Sequence, residues 1–265
     1  MKVFISADIE GITTTTFWDE TDPEKEEYKQ YAEQMTKEVL AACEGANKAG
    51  ATEIVVRDAH GYANNIDINQ LPSNVKLIRG WSGHPYSMVE GIDSTFDAAI
   101  FIGYHAAASR SGNPLSHTES LRPLYVKING RIASEFMLFS YAANLEKVPV
   151  VFLSGDKMLC DDSKDLHPKL ITCAVKEGIG ESTITYNPKV TLKMIKEKVE
   201  QSLKQDITTA LTELPKEFTL EICYKDHINA EKFSYFPGVK KINDNTVIFE
   251  TDNYFELLRV FKFIH

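Results

Sequence analysis

Apolar residues in the first part of this chain come in short unbroken runs, as expected of strands buried on both faces of a sheet. Residues 2–6, 53–57 and 98–103 form three such runs, and 75–78 and 148–153 form two more, with Pro149 near the start of the last. Between the first two, Tyr28, Tyr31, Ala32, Met35, Val39, Ala42, Cys43 and Ala46 recur at helical spacing. Asp22-Pro23 predicts the start of that helix as N-cap and first-turn proline, and Gly50 its end. Residues 2–57 therefore read as a βαβ unit, which is right-handed as a rule.

The rhythm changes twice. Residues 124–128 and 131–133 flank Asn129-Gly130, the pair favoured by a type I′ hairpin turn. A helix is predicted over 134–144, and a helical turn over 88–92. From 188 the chain reads as an amphipathic Lys/Glu-rich helix to 205, a strand at 217–224 and a helix near 228–235. A strand at 246–250 and a last helix from Asn253 follow. The fold class predicted is α/β, a mostly parallel sheet flanked by helices, with a second, smaller α+β domain. The division falls at 1–185 and 186–265, with the hairpin 122–134 packing with the second part.

Three of the apolar runs end in side chains that bind metals. The first runs into Asp8-Ile9-Glu10-Gly11, the second into Asp58-Ala59-His60-Gly61, and the third into Tyr104-His105. Ligands of open α/β sheets bind beyond the carboxyl ends of the strands, where parallel strands would gather all three. Asp8 and Glu10 share a face if the chain stays extended, and two acids pointing together need a cation or proton between them. An isolated pair of this kind commonly does no more than cap a turn. Histidine with carboxylate points to zinc or a similar transition metal. Asp58 is either a ligand or the acceptor for the far N–H of a ligating imidazole. His117, in a polar loop, and Glu135, where the hairpin passes into a helix, are further candidates. Ser154-Gly155-Asp156 either joins the cleft or caps a helix. His84, His167, His227 and His265 have no ligand-like neighbours and read as surface or structural.

Composition narrows the setting. The chain has 265 residues, 43% hydrophobic and 25% charged, with a net charge of −9 and no basic stripe, which argues against a nucleic-acid partner. Cys43, Cys160, Cys173 and Cys223 lack CxxC spacing and read as reduced. No apolar run approaches the roughly 20 residues of a membrane span, and the apolar stretch after Met1 is too short for a secretory signal, so a cytoplasmic protein is expected. HExxH, GxSxG, Walker and GxGxxG motifs are absent.

The segment Ser6-Ala7-Asp8-Ile9-Glu10-Gly11-Ile12 resembles the opening of the self-compartmentalising D-aminopeptidases, zinc enzymes associated with dipeptide-transport operons. The resemblance continues through Asp58-Ala59-His60, residues 87–91, residues 101–105, Ser116-His117 and Val148-Pro149-Val150, and so spans the chain. It implies two Zn2+ ions per subunit. Asp8 would bridge them, Glu10 and His60 would complete one site, His105 and Glu135 the other, and His117 would be a catalytic histidine. It also implies short peptide substrates with an N-terminal D-residue, and a ring-shaped homo-oligomer, a decamer of two stacked pentamers. Thr13–Thr16 depart from the family, many members having a glycine soon after Glu-Gly-Ile; pocket shape and substrate preference rest on that segment. Two other readings remain open: a dinuclear hydrolase of other amides or esters, and a non-catalytic peptide-binding module.

Overall fold

The computed structural model describes the whole chain, Met1–His265. It opens with β1 (Lys2–Ala7), α1 (Tyr28–Lys48), β2 (Glu53–Asp58), β3 (Val75–Ile78) and β4 (Ala98–Tyr104). A hairpin of β5 (Pro123–Ile128) and β6 (Arg131–Ile132) leads to α2 (Glu135–Leu145), β7 (Val150–Asp156), α3 (Lys157–Ser163), β8 (Ile171–Ile179) and β9 (Ser182–Thr185). The remainder is α4 (Pro188–Lys204), β10 (Phe218–Tyr224), α5 (His227–Ser234), β11 (Lys240–Lys241), β12 (Thr246–Thr251) and α6 (Tyr254–Ile264).

Seven strands form the first sheet in the order β3-β2-β1-β4-β7-β8-β9, all parallel except the edge strand β9. The chain builds outward from β1 through β2 to β3, then reverses and adds β4, β7 and β8 on the other side. The reversal lies between β1 and β4, so the crevice of this α/β sheet opens at their carboxyl ends. The unbroken apolar runs have the cause expected. Val3, Ile5 and Ala7 pack into a cluster with α1 and α4, whereas Phe4 points into a second cluster with α2 and α6. Each fully buried Val, Ile or Phe side chain contributes roughly 1.5–3 kcal/mol, and the polar residues that these strands bury are paired: Ser6 Oγ donates to Met88 O at 2.5 Å and Arg57 Nη1 to Gly80 O at 2.6 Å.

A second, antiparallel sheet has the order β11-β12-β10-β5-β6. The β5–β6 hairpin thus lies beside β10, almost a hundred residues later. Helix α4, grouped by sequence with the tail, packs instead on α1. Ile195, Val199 and Leu203 of its apolar face join Val39, Ala42, Cys43 and Ala46 there, and Gly45 lies under the Lys196 carbonyl.

Two further departures from the sequence reading have local causes. Helix α1 begins at Tyr28, because residues 24–27 are exposed and have no apolar partner; Asp22 caps a turn, accepting from Glu24 N at 2.9 Å. Strands β8 and β9 were not foreseen. The middle of β8 carries Lys176 after the apolar Ala174 and Val175, and that lysine is only 1% exposed.

Candidate metal centre

The parallel register sets the ends of β1, β2 and β4 side by side, pairing Ala7 with Asp58 and with Ile102. The chain after β1 then presses onto the end of β4. Asp8 N donates to Ile102 O at 2.9 Å and Gly11 N to Gly103 O at 2.8 Å. A Cβ on Gly11 would stand 1.8 Å from the Tyr104 carbonyl oxygen, so only glycine allows this approach. Asp8, Glu10, His60 and His105 are brought together as their strand-end positions suggest. His117 and Glu135 join them from elsewhere. Glu135 sits in the first turn of α2, whose N-cap Ser134 accepts from Met137 N; the positive end of the helix favours a carboxylate there.

The carbonyls behind the imidazoles dictate which ring nitrogen faces inward. A carbonyl oxygen only accepts, so each ring nitrogen beside one must carry the proton. His60 Nε2 donates to Thr21 O at 2.9 Å, His105 Nδ1 to Ala106 O at 3.0 Å, and His117 Nδ1 to Leu115 O at 2.8 Å. The other nitrogens face carboxylates. His60 Nδ1 is 3.5 Å from Asp8 Oδ1 and 3.1 Å from Glu10 Oε2. His105 Nε2 is 3.5 Å from Asp8 Oδ2 and 3.2 Å from Glu135 Oε2. His117 Nε2 is 3.6 Å from Glu135 Oε1. Asp8 therefore turns one oxygen to each of two clusters.

Such an arrangement is unstable without positive charge. A neutral imidazole would point a lone pair at carboxylate lone pairs in a buried site, where unpaired charge is costly. Asp8 Oδ2, Glu10 Oε2 and His105 Nε2 are buried and have no hydrogen-bond partner. Asp8, Glu10 and His105 offer ligand atoms within 4.8 Å of one another, as do His105, His117 and Glu135. The donor set of imidazole nitrogen and carboxylate oxygen suits zinc or a similar transition metal.

Protons take the strain when no cation is present. Burial, then the charge of Glu10, pushes the Asp8 carboxyl well above its usual range. Burial also acts to raise Glu10 and Glu135, but the imidazoles outweigh it, His60 chiefly for Glu10 and His105 for Glu135, and both end below the usual range. The imidazoles move the other way. Burial disfavours their charge, but Glu10 holds His60 well above the ordinary range, and Glu135 holds His105 at about 10.

The cluster is supported by residues beyond its own side chains. The Glu10 carbonyl accepts from Lys176 Nζ at 2.5 Å and Asn113 Nδ2 at 3.0 Å. Lys176 also donates to Thr15 O, and burial lowers its ammonium to about 8. Asp58 is not the partner of a ligating imidazole. It accepts from Asn65 N, Asn65 Nδ2 and Ile66 N, and Asn65 in turn holds the His60 carbonyl at 2.8 Å. Asp156 caps α3 and takes Ala106 N at 2.7 Å, fixing the chain beside His105. Of the histidines read as structural, His265 comes 3.8 Å from Glu119 at the cavity wall. In the Thr13–Thr16 segment Thr14 holds a left-handed backbone at φ 76°, donating its N–H to Thr185 Oγ1 of β9.

The cluster forms one wall of a cavity of about 340 Å³ that is also lined by Trp81, Ser87, Met88, Glu119 and Lys262. His117 is held in it by the stacked His105 ring, 4.4 Å away and tilted 16°, and by the edge of Trp18 at 5.4 Å. A buried pair of carboxylate–imidazole clusters beside an imidazole with a free Nε2 has the parts needed for metal-assisted hydrolysis.

Known proteins share this architecture. The sequence profile of the D-aminopeptidase family matches residues 1–263. A D-aminopeptidase of Bacillus subtilis (strain 168) is 33% identical over 259 residues, 97% of this chain and 93% of that protein. The solved structure of the Zn-dependent D-aminopeptidase DppA from Bacillus subtilis, a self-compartmentalizing protease, superposes with a TM-score of 0.93. It is 30% identical, and the match covers 100% of this chain and 96% of that one.

Proposed function

The chain belongs to the D-aminopeptidase family, and from that premise we propose that it is a zinc-dependent aminopeptidase removing an N-terminal D-residue from short peptides. The observation that carries the reading is Asp8 dividing its oxygens between two carboxylate–imidazole clusters. It supports two ions per subunit, Asp8 shared, with Glu10 and His60 on one side and His105 and Glu135 on the other. Zinc, when bound, supplies a Lewis acid for the scissile carbonyl and an acidified water as nucleophile.

The protein's own groups do the rest. The carbonyls of Thr21 and Ala106 hold the imidazoles in the tautomer that offers a lone pair inward. His117, fixed at Nδ1 by Leu115 O, presents Nε2 as the group that takes the nucleophile's proton and returns it to the leaving amine. The test is a metal-replete screen of paired D- and L-aminoacyl amides and dipeptides. Chelator-sensitive release of free amino acid, faster from the D-series, is expected; binding without turnover would point to a peptide-binding module.

Zinc binding must also displace the protons that His60 and His105 hold at neutral pH in the metal-free protein. Calorimetric zinc titrations at pH 7 should therefore release protons to the buffer. Because raising the pH removes those competing protons, zinc affinity should rise with pH. A binding enthalpy independent of buffer, with affinity flat in pH, would contradict this ligand set.

Assembly follows the same premise. The Bacillus subtilis enzyme is self-compartmentalizing, and the proposal extends to a closed ring here, two stacked pentamers enclosing the sites. Phe17, Ile179, Ile184 and Tyr186 are more than half exposed, and the Thr16–Thr183 hydrogen bond joins the loop of Phe17 to the β8–β9 hairpin. Such an apolar surface suits burial between subunits. Light scattering should give a mass several times 29.8 kDa; an active monomer would rule out the chamber. No helix is long and apolar enough to cross a membrane, and the four cysteines are free and buried, which fits the reducing cytoplasm this reading assumes.

A further inference from the structure

The cavity that holds the carboxylate–imidazole cluster is also lined by Ser87, Glu119 and Lys262, which the reaction above leaves unused. Lys262 comes from α6, at the far end of the chain. Its ammonium lies 5.8 Å from the centre of the Trp81 ring, itself a wall residue, and no carboxylate of the chain comes within 4.0 Å of it. It makes no hydrogen bond to the chain, so its three N–H donors remain uncommitted. Ser87 Oγ lines the same cavity, buried and without a hydrogen-bond partner, on a residue held at φ 40°.

A dipeptide carries opposite charges at its two ends. The cavity holds the carboxylate–imidazole cluster and an uncommitted cation in about 340 Å³, room for two small residues. In a protein of net charge −9 a substrate carboxylate is repelled at long range unless a local cation receives it. We propose that Lys262 binds the C-terminal carboxylate of a dipeptide whose scissile bond lies at the carboxylate–imidazole cluster, with Ser87 Oγ as a neighbouring donor. The subsite rests on the aminopeptidase reading and deepens it: the substrate class becomes the free dipeptide acid.

The test compares D-alanylglycine with D-alanylglycinamide on the zinc-loaded enzyme, in the wild type and in Lys262→Met. The wild type should prefer the acid roughly ten- to a hundredfold in kcat/KM, mostly through KM, as expected of a charge-assisted hydrogen bond. In Lys262→Met the ratio should fall to about one. Calorimetry with the uncleavable reduced-amide isosteres of the same acid and amide should show the same preference and the same collapse. If neither dipeptide is turned over while the isosteres keep the lysine-dependent preference, the peptidase reading falls and the subsite stands. Equal affinity for acid and amide in the wild type overturns the subsite. So does a loss in Lys262→Met shared equally by acid and amide, since that is what a purely structural role of Lys262 would produce.

Discussion

Asp8→Asn is expected to give a folded protein with at least about a thousandfold less activity, beyond the 10–100-fold cost typical of losing an outer partner of a metal ligand. The fold should survive because the amide has the same shape and its oxygen can still accept the Ile9 N–H that Asp8 Oδ1 takes at 2.9 Å. What it lacks is charge on two equivalent oxygens. Asp8 Oδ1 faces His60 and Asp8 Oδ2 faces His105, and a neutral amide offers a cation only one good acceptor, on one side. Elemental analysis should find about two zinc ions per native chain and fewer in the variant, with the melting profile of the metal-free proteins little changed. Full activity in Asp8→Asn would sink the shared-carboxylate reading.

His117→Ala is expected to keep its zinc and lose roughly 10²–10⁴-fold in rate, the usual contribution of a proton-transfer group. Its Nδ1 is committed to Leu115 O, so only Nε2 can act, and its stacking against His105 fixes where that nitrogen points. The pH dependence of kcat/KM distinguishes this from a loss of packing: the limb due to a titrating imidazole should flatten in the variant. His117, His105 and Glu135 offer atoms within 4.8 Å of one another, so the opposite outcome is informative too. Stoichiometric loss of zinc in His117→Ala would make His117 a metal ligand and remove it from the proton-transfer role.

Local order along the chain was legible where burial is symmetrical. β1, β2 and β4 bury apolar residues on both faces, so they stand out as short runs, and their ends could be read to within one residue. β8 was hidden because it carries a lysine that the fold buries, and no local pattern says that the Glu10 and Thr15 carbonyls will be waiting for it. The start of α1 was placed too early because capping residues signal where a helix could begin, whereas the apolar face decides where it does.

The sequence by itself determined the parallel α/β core and the type of chemistry, since Asp8, Glu10, His60 and His105 all lie at strand ends that a parallel sheet must gather. Family resemblance added roles for Glu135 and His117 that spacing alone left open. Only the tertiary structure decided the tautomer of each imidazole, because the carbonyls of Thr21, Ala106 and Leu115 are backbone groups that every residue type carries. It also decided that Lys262 and Glu119 face the same cavity, well over a hundred residues apart, through an antiparallel sheet that pairs β5 with β10. Side-chain identity is written in the chain, but the partner of a buried polar group is set by packing, which depends on distances the chain order does not contain.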